Sequence, residues 1–104
     1  MNAYTDPTAF EGEARNEALK VDAENRAKTH EADIKWLMSS PRGRRLAWWL
    51  LEKAGVNRTS YSNSGSAMAF NEGQRNMGLM IQADIVSLAP ERYMEMLVEG
   101  RSGK

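Results

Sequence analysis

The apolar positions form one thin stretch followed by three dense ones. Residues 8–38 contain no proline, a single glycine and many strong helix formers (Ala, Glu, Lys, Arg, Leu), which predicts one long helix. Between Glu11 and Asp33 its only large aliphatics are Leu19 and Val21, while Ala14, Ala18, Ala23, Ala27 and Ala32 offer small surfaces. A helix polar nearly all round is not held to a core by its own side chains. Two readings follow. One is a solvated helix supported by i,i+4 pairs such as Glu24 with Lys28 and Glu31 with Lys35. The other is an arm whose alanine seam packs on a partner helix. At Ile34, Trp36, Leu37 and Met38 the pattern turns apolar, and these residues are expected to enter a core.

Ser39-Ser40-Pro41 signals a new start, with Ser40 suited to cap and Pro41 to the first helical position. A second helix is expected over 41–54, closed by Gly55. It places Leu46, Trp49, Leu50 and Lys53 on one face, with Trp48 and Leu51 off it. Residues 56–65 are rich in Ser, Asn, Thr and Gly and read as a loop anchored by Tyr61. A third helix is predicted over 66–88, with Phe70, Met77, Ile81, Ile85 and Leu88 at helical spacing. Gly73 and Gly78 inside it each cost roughly 1 kcal/mol relative to alanine, which close approach of another helix would offset. Ala89-Pro90-Glu91 begins a short fourth helix carrying Tyr93, Met94, Met96, Leu97 and Val98, stopped at Gly100. No run alternates with period two and no solenoid repeat appears. The expected fold is all-α, a polar helical arm over 1–33 followed by a compact three-helix unit over 34–104.

The chain's 104 residues suit one compact core. Fourteen bases balance fourteen acids, so any anionic partner must be served by a local patch. Residues 1–40 hold eight acids against five bases, and residues 41–60 hold five bases against Glu52 alone. The lack of cysteine removes disulfides, zinc–thiolate sites and cysteine nucleophiles. With His30 as the single histidine, set in a polar segment, the expectation is a surface side chain. Glu91, Glu95 and Glu99, near Arg92 and Arg101, read as a solvated acidic face. The composition points away from an enzyme and calls for no cofactor or metal. The longest apolar run, Leu46 to Leu51, is far short of the ~20 residues that span a bilayer. The opening Met1-Asn2-Ala3-Tyr4-Thr5-Asp6-Pro7 lacks the basic and apolar parts of a secretory signal, which predicts a soluble chain, cytoplasmic when made.

Pro41-Arg42-Gly43-Arg44-Arg45 is the strongest electrostatic feature, joined at a distance by Arg58. Arginine forks fit phosphate and carboxylate equally. Three or four phosphate contacts would give weak, salt-sensitive, sequence-blind DNA binding. The favoured role for Arg42, Arg44, Arg45 and Arg58 is contact with a protein partner or an internal bridge to acids of the first helix. Cations at a helix N-terminus oppose its dipole, which suggests a compensating external anion. Of Trp48 and Trp49, one indole is expected in the core and the other against helix one or a partner, because successive helical positions differ by about 100°. Leu51, Met80 and Met94 are assigned to core or interface. Arg75, beside Glu72 and Asn76, is expected to bridge helices two and three.

Several segments then resemble a known family. Asp33-x3-Leu37-Met38, Pro41-Arg42-Gly43-Arg44-Arg45 with Leu50-Leu51, the stretch from Ala69 through Glu72-Gly73-Gln74-Arg75-Asn76 to Leu79, and Pro90-x2-Tyr93-x2-Met96-x2-Glu99 are similar to small proteins encoded among the virion genes of short-tailed bacteriophages. The similarity spans roughly residues 30–100 and leaves the first helix outside it. The resemblance implies a structural or morphogenetic role in the particle. Together these features predict a non-enzymatic homo-oligomeric subunit at the portal or internal ejection assembly of the virion, in contact with other virion proteins. The rival expectation is a DNA-binding or packaging accessory.

Overall fold

A computed structural model describes residues 7–103, with side chains from Phe10 onward. The opening segment 1–6, read above as lacking a secretory signal, lies outside the described residues. The protein is all-α: α1 (Pro7–Met38), α2 (Pro41–Ala54), α3 (Gly65–Leu88) and α4 (Pro90–Arg101). By its internal contacts the chain divides into residues 1–32 and 33–104.

Over residues 10–32 the side chains of α1 are exposed, including Leu19 and Val21. Local interactions support this part of the helix. Asp22 and Arg26 form an i,i+4 ion pair at 3.1 Å, and the Thr29 hydroxyl donates to the Asn25 carbonyl at 3.0 Å. His30 is exposed, in keeping with its polar surroundings.

The second unit comprises the end of α1 with α2, α3 and α4. The turn into α2 is built from serines: the Ser39 hydroxyl donates to the Trp36 carbonyl, and extended Ser40 accepts the Gly43 N–H at 3.1 Å. Pro41 follows as the first helical residue. Gly43 stands where α2 meets the end of α1; a Cβ there would lie 1.7 Å from the Leu37 carbonyl oxygen, so only glycine fits. At the far end Gly55 adopts φ +79° and donates to Leu51 and Glu52, a left-handed cap that L side chains resist. Ser64 caps α3 by accepting the Ala67 N–H at 3.3 Å. A single residue, buried Ala89, separates α3 from α4, and Gln82 donates to the Tyr93 hydroxyl across that corner.

The core is small. Met38, Ile85 and Met96 are fully enclosed, with Ala47, Leu51, Val56 and Ala89 around them. Helix three contributes Ile85 and, in part, Ile81 and Leu79, but Phe70 and Met77 are well exposed, correcting the expected inward stripe. Trp36 is likewise exposed, and only Met38, Ile34 and Leu37 turn inward from the end of α1. Tyr61 does not anchor the α2–α3 loop; Val56, 6% exposed, does. Gly100 does not end α4. It lies inside the helix at its contact with α2, where a Cβ would fall 2.4 Å from the Trp48 ring. Among the described residues no helix is long and apolar enough to cross a membrane.

Candidate functional site

The inner face of α2 carries Gly43, Arg44, Ala47 and Leu51. Leu51 is core at 3% exposure, while Leu46, Trp49 and Leu50 lie on the outside at 56%, 56% and 45%. Helix two is apolar on more than one side, and the side that packs is the one bearing small residues and a salt-bridged arginine. Trp48 is half-buried against Gly100, so its partner is α4 rather than helix one. Trp49 is the indole left outside.

Arg44 explains how a guanidinium comes to be buried. Its Nε and Nη2 donate to the two oxygens of Glu99 at 2.7 and 3.1 Å, Nη2 also lies 3.2 Å from Glu95, and Nη1 donates to the Met38 carbonyl at 3.0 Å. That carbonyl belongs to the last turn of α1, which has no helical N–H to accept. One side chain thus ties together the end of α1, the start of α2 and α4. The hydrogen bond from Arg44 holds the Glu99 carboxyl below its ordinary value, against the opposing effect of burial, with Arg44, Arg45 and Arg92 adding attraction. The bond to Glu99 raises Arg44 in turn, over the cost of its own burial, with attraction from Glu99 and Glu95. Arg92 reaches Glu95 at 3.0 Å and completes an alternating chain of charge.

Several expectations change accordingly. Arg44 is no external contact, and the acids that satisfy it come from α4, not the first helix. The anion offsetting the α2 dipole is internal. Glu95 and Glu99 are bridge members rather than a purely solvated face. Arg42 and Arg45 remain exposed. Arg58 is exposed too, yet its Nη2 donates to the Glu52 carbonyl at 2.9 Å and so satisfies the C-terminal end of α2. The structure therefore does not gather the four arginines into one patch.

The glycine expectation divides. At Gly78 a Cβ would lie 2.6 Å from the Ala54 Cβ and 2.7 Å from Val56 Cγ1, a true close crossing of α3 with α2. Gly73 has nothing within 4 Å and marks no crossing. Arg75 does not bridge to α2. Half-buried, it donates through Nε to the Arg58 carbonyl at 3.1 Å and fastens α3 to the loop. These groups border a polar cleft of about 200 Å³ with Thr59, Ser60, Asn71 and Gln74, and the Ser60 hydroxyl bonds the Glu72 carboxylate there. Met80 and Met94 stand outside the core at 65% and 58% exposure, because Met96 fills the place between the helices.

One exposed apolar surface of the unit is the outer side of α2. Arg42, Leu46, Trp49, Leu50 and Lys53 share it, two bases flanking an apolar centre, with Glu52 at one edge. A groove of about 450 Å³ continues it toward the end of α1, lined by Trp36, Leu37, Ser40, Arg42 and Leu46. Trp36 is 77% exposed at its edge. The sequence reasoning missed Gly43, Gly100 and the Arg44–Glu99 bridge. Glycine in the first turn of a strong helix, where alanine would serve better, was the available signal for Gly43. Among the described residues no group of three or more acidic or histidine side chains is placed to hold a metal ion.

No curated protein and no solved structure matches the chain. The family model described as Bbp19-like phage protein matches residues 34–98, which takes in the helical unit from Ile34 through α2 and α3 into α4. That span includes Gly43, Arg44 and Glu95 and covers more than half of the sequence, and the chain belongs to the Bbp19-like phage proteins.

Proposed function

We propose that this phage protein is a non-enzymatic structural subunit of the virion, an oligomer at the portal or internal ejection assembly of a short-tailed phage. The observation that carries the reading is the outer face of α2. Two tryptophans, Trp36 and Trp49, with Leu46 and Leu50, stand in water on a unit whose own core is small. Exposed apolar clusters of this kind on small proteins are sites of protein contact. A neutral total charge argues against coating packaged DNA, whose phosphate density selects strongly basic partners. Repeated contact around a ring suits a subunit of this size better than construction of a shell.

The test is copy number and place. Quantitative mass spectrometry of purified particles should find a low, symmetric number, on the order of one dozen, as for a cyclic assembly at one vertex. Symmetry-resolved imaging should show helical density at the tail vertex. Hundreds of copies over the shell, or absence from mature particles, would refute the reading.

A further inference from the structure

We propose that the outer face of α2 receives the α1 arm of a second copy of this chain. The inference rests on the oligomeric reading and names the contact that would build the oligomer.

Among the described residues, two of the surfaces without an apolar partner are reciprocal in chemistry. Along the arm, Ala14, Ala18 and Val21 form a shallow strip bordered by Glu17, Asp22 and Asn25, enclosing about 580 Å³ with no base among its lining residues. Small side chains there leave room for large ones. The outer face of α2 supplies them in Leu46, Trp49 and Leu50, with Arg42 and Lys53 at its two ends and Glu52 beside Trp49 at one edge. Two acids of the arm recur at the spacing of the two bases, with Arg15 between them. Arg42 and Lys53 are eleven residues apart, as are Glu11 and Asp22, and three helical turns separate each pair by about 16 Å on one side of its helix. Asp22 pairs with Arg26 on an open surface, with side chains 64% and 73% exposed, so exchanging that partner costs little.

The areas are of the right order. Leu46, Trp49 and Leu50 present roughly 300 Å² of apolar surface, a substantial share of the ~800 Å² that each side of a stable interface contributes. Trp36 and the stems of Arg42 and Lys53 extend it. Arm and α2 face are different surfaces, so each copy has one of each to offer. The contact is head to tail, and it closes into a ring or propagates.

The experiment uses the full chain and sedimentation velocity over a concentration series. Trp49→Glu and the arm variant Ala18→Glu/Val21→Glu should each weaken association by about 30-fold or more, as loss of a central contact does. Both sets of positions are exposed, so each variant should keep wild-type helicity and denaturation midpoint. The deciding step is mixing. Equal amounts of the two variants should form a dimer and nothing larger, because one intact arm meets one intact face. Lys53→Glu should weaken assembly and Asp22→Lys in the same chain should restore it. An arm variant that associates like wild type, or a mixture that stays monomeric, overturns the proposal, the first outcome pointing to α2 pairing with itself. A wild type monomeric at several hundred micromolar overturns it as well. Copy number in the particle is measured separately, so an oligomeric virion protein assembled through other surfaces would leave the functional reading standing.

Discussion

Gly73 and Gly78 are five residues apart in the same helix, and alanine at the two sites should have opposite effects. At Gly73 an added Cβ meets nothing within 4 Å, so the substitution changes helix propensity alone and should stabilise by roughly 1 kcal/mol. At Gly78 the same atom would lie 2.6 Å from the Ala54 Cβ and 2.7 Å from Val56 Cγ1. Carbon atoms in contact sit about 3.5–4.0 Å apart, so the helices must separate by about 1 Å. Ala54 has no rotamer with which to yield, and Val56 is 6% exposed, so the backbone of α2 has to move. Overpacking of this kind costs about 1–3 kcal/mol, and the upper half of that range applies where neighbours are rigid. After the propensity gain, Gly78→Ala should lose about 1–2 kcal/mol. The two variants then differ by about 2–3 kcal/mol, or upward of 8 °C in melting temperature for a unit of this size. Urea denaturation followed by circular dichroism on dilute protein reads the difference. Stabilisation by both substitutions would mean that α3 does not cross α2 at Gly78, and a loss at Gly73 would mean that its surroundings are not open.

Three further outcomes follow from the buried bridge and the exposed bases. Replacing Glu99 with Ala should destabilise more than replacing Arg44 with Met, as denaturation would show, because the first leaves an enclosed cation with half-exposed Glu95 as its remaining acid and the second leaves a carboxylate that water reaches; the reverse order would mean that Arg44 is not buried as described. Glu99 titrates below its ordinary 4.5 when folded, so its stabilisation is present in full above that value and fades as pH falls through the lower folded value. Acid titration of Glu99→Gln should therefore lose less stability below about pH 4.5 than wild type does, and parallel acid limbs would contradict the coupling. Wild type and Arg42→Ala/Arg45→Ala should bind duplex DNA equally poorly at low salt. Measurable wild-type affinity that falls steeply with salt and is lost in the variant would favour the DNA-binding reading.

Local chemistry determined the elements. Ser40 followed by Pro41, Gly55 after Ala54, Ser64 before α3 and Pro90 after Ala89 act within a few residues of themselves, through caps and fixed backbone angles, and so the helix ends can be read from the chain directly. The thin polarity of residues 11–33 likewise announces a helix without a core face of its own. Which face of α2 packs was decided only by tertiary structure. Periodicity puts Leu46, Trp49 and Leu50 together on one face without saying which face packs, and the inner side is the one on which Gly43 admits the end of α1, Trp48 meets Gly100, and Arg44 finds Glu99. Glu99 lies fifty-five residues along the chain from Arg44, and no local pattern links them. An arginine counts as polar in any sequence pattern, but once its charge is neutralised by a bidentate carboxylate and its third nitrogen bonded to the Met38 carbonyl, it can be enclosed while three large apolar side chains remain outside. Gly73 and Gly78 are indistinguishable in sequence for the same reason: whether a missing side chain is a cost or a requirement depends on what another helix places beside it.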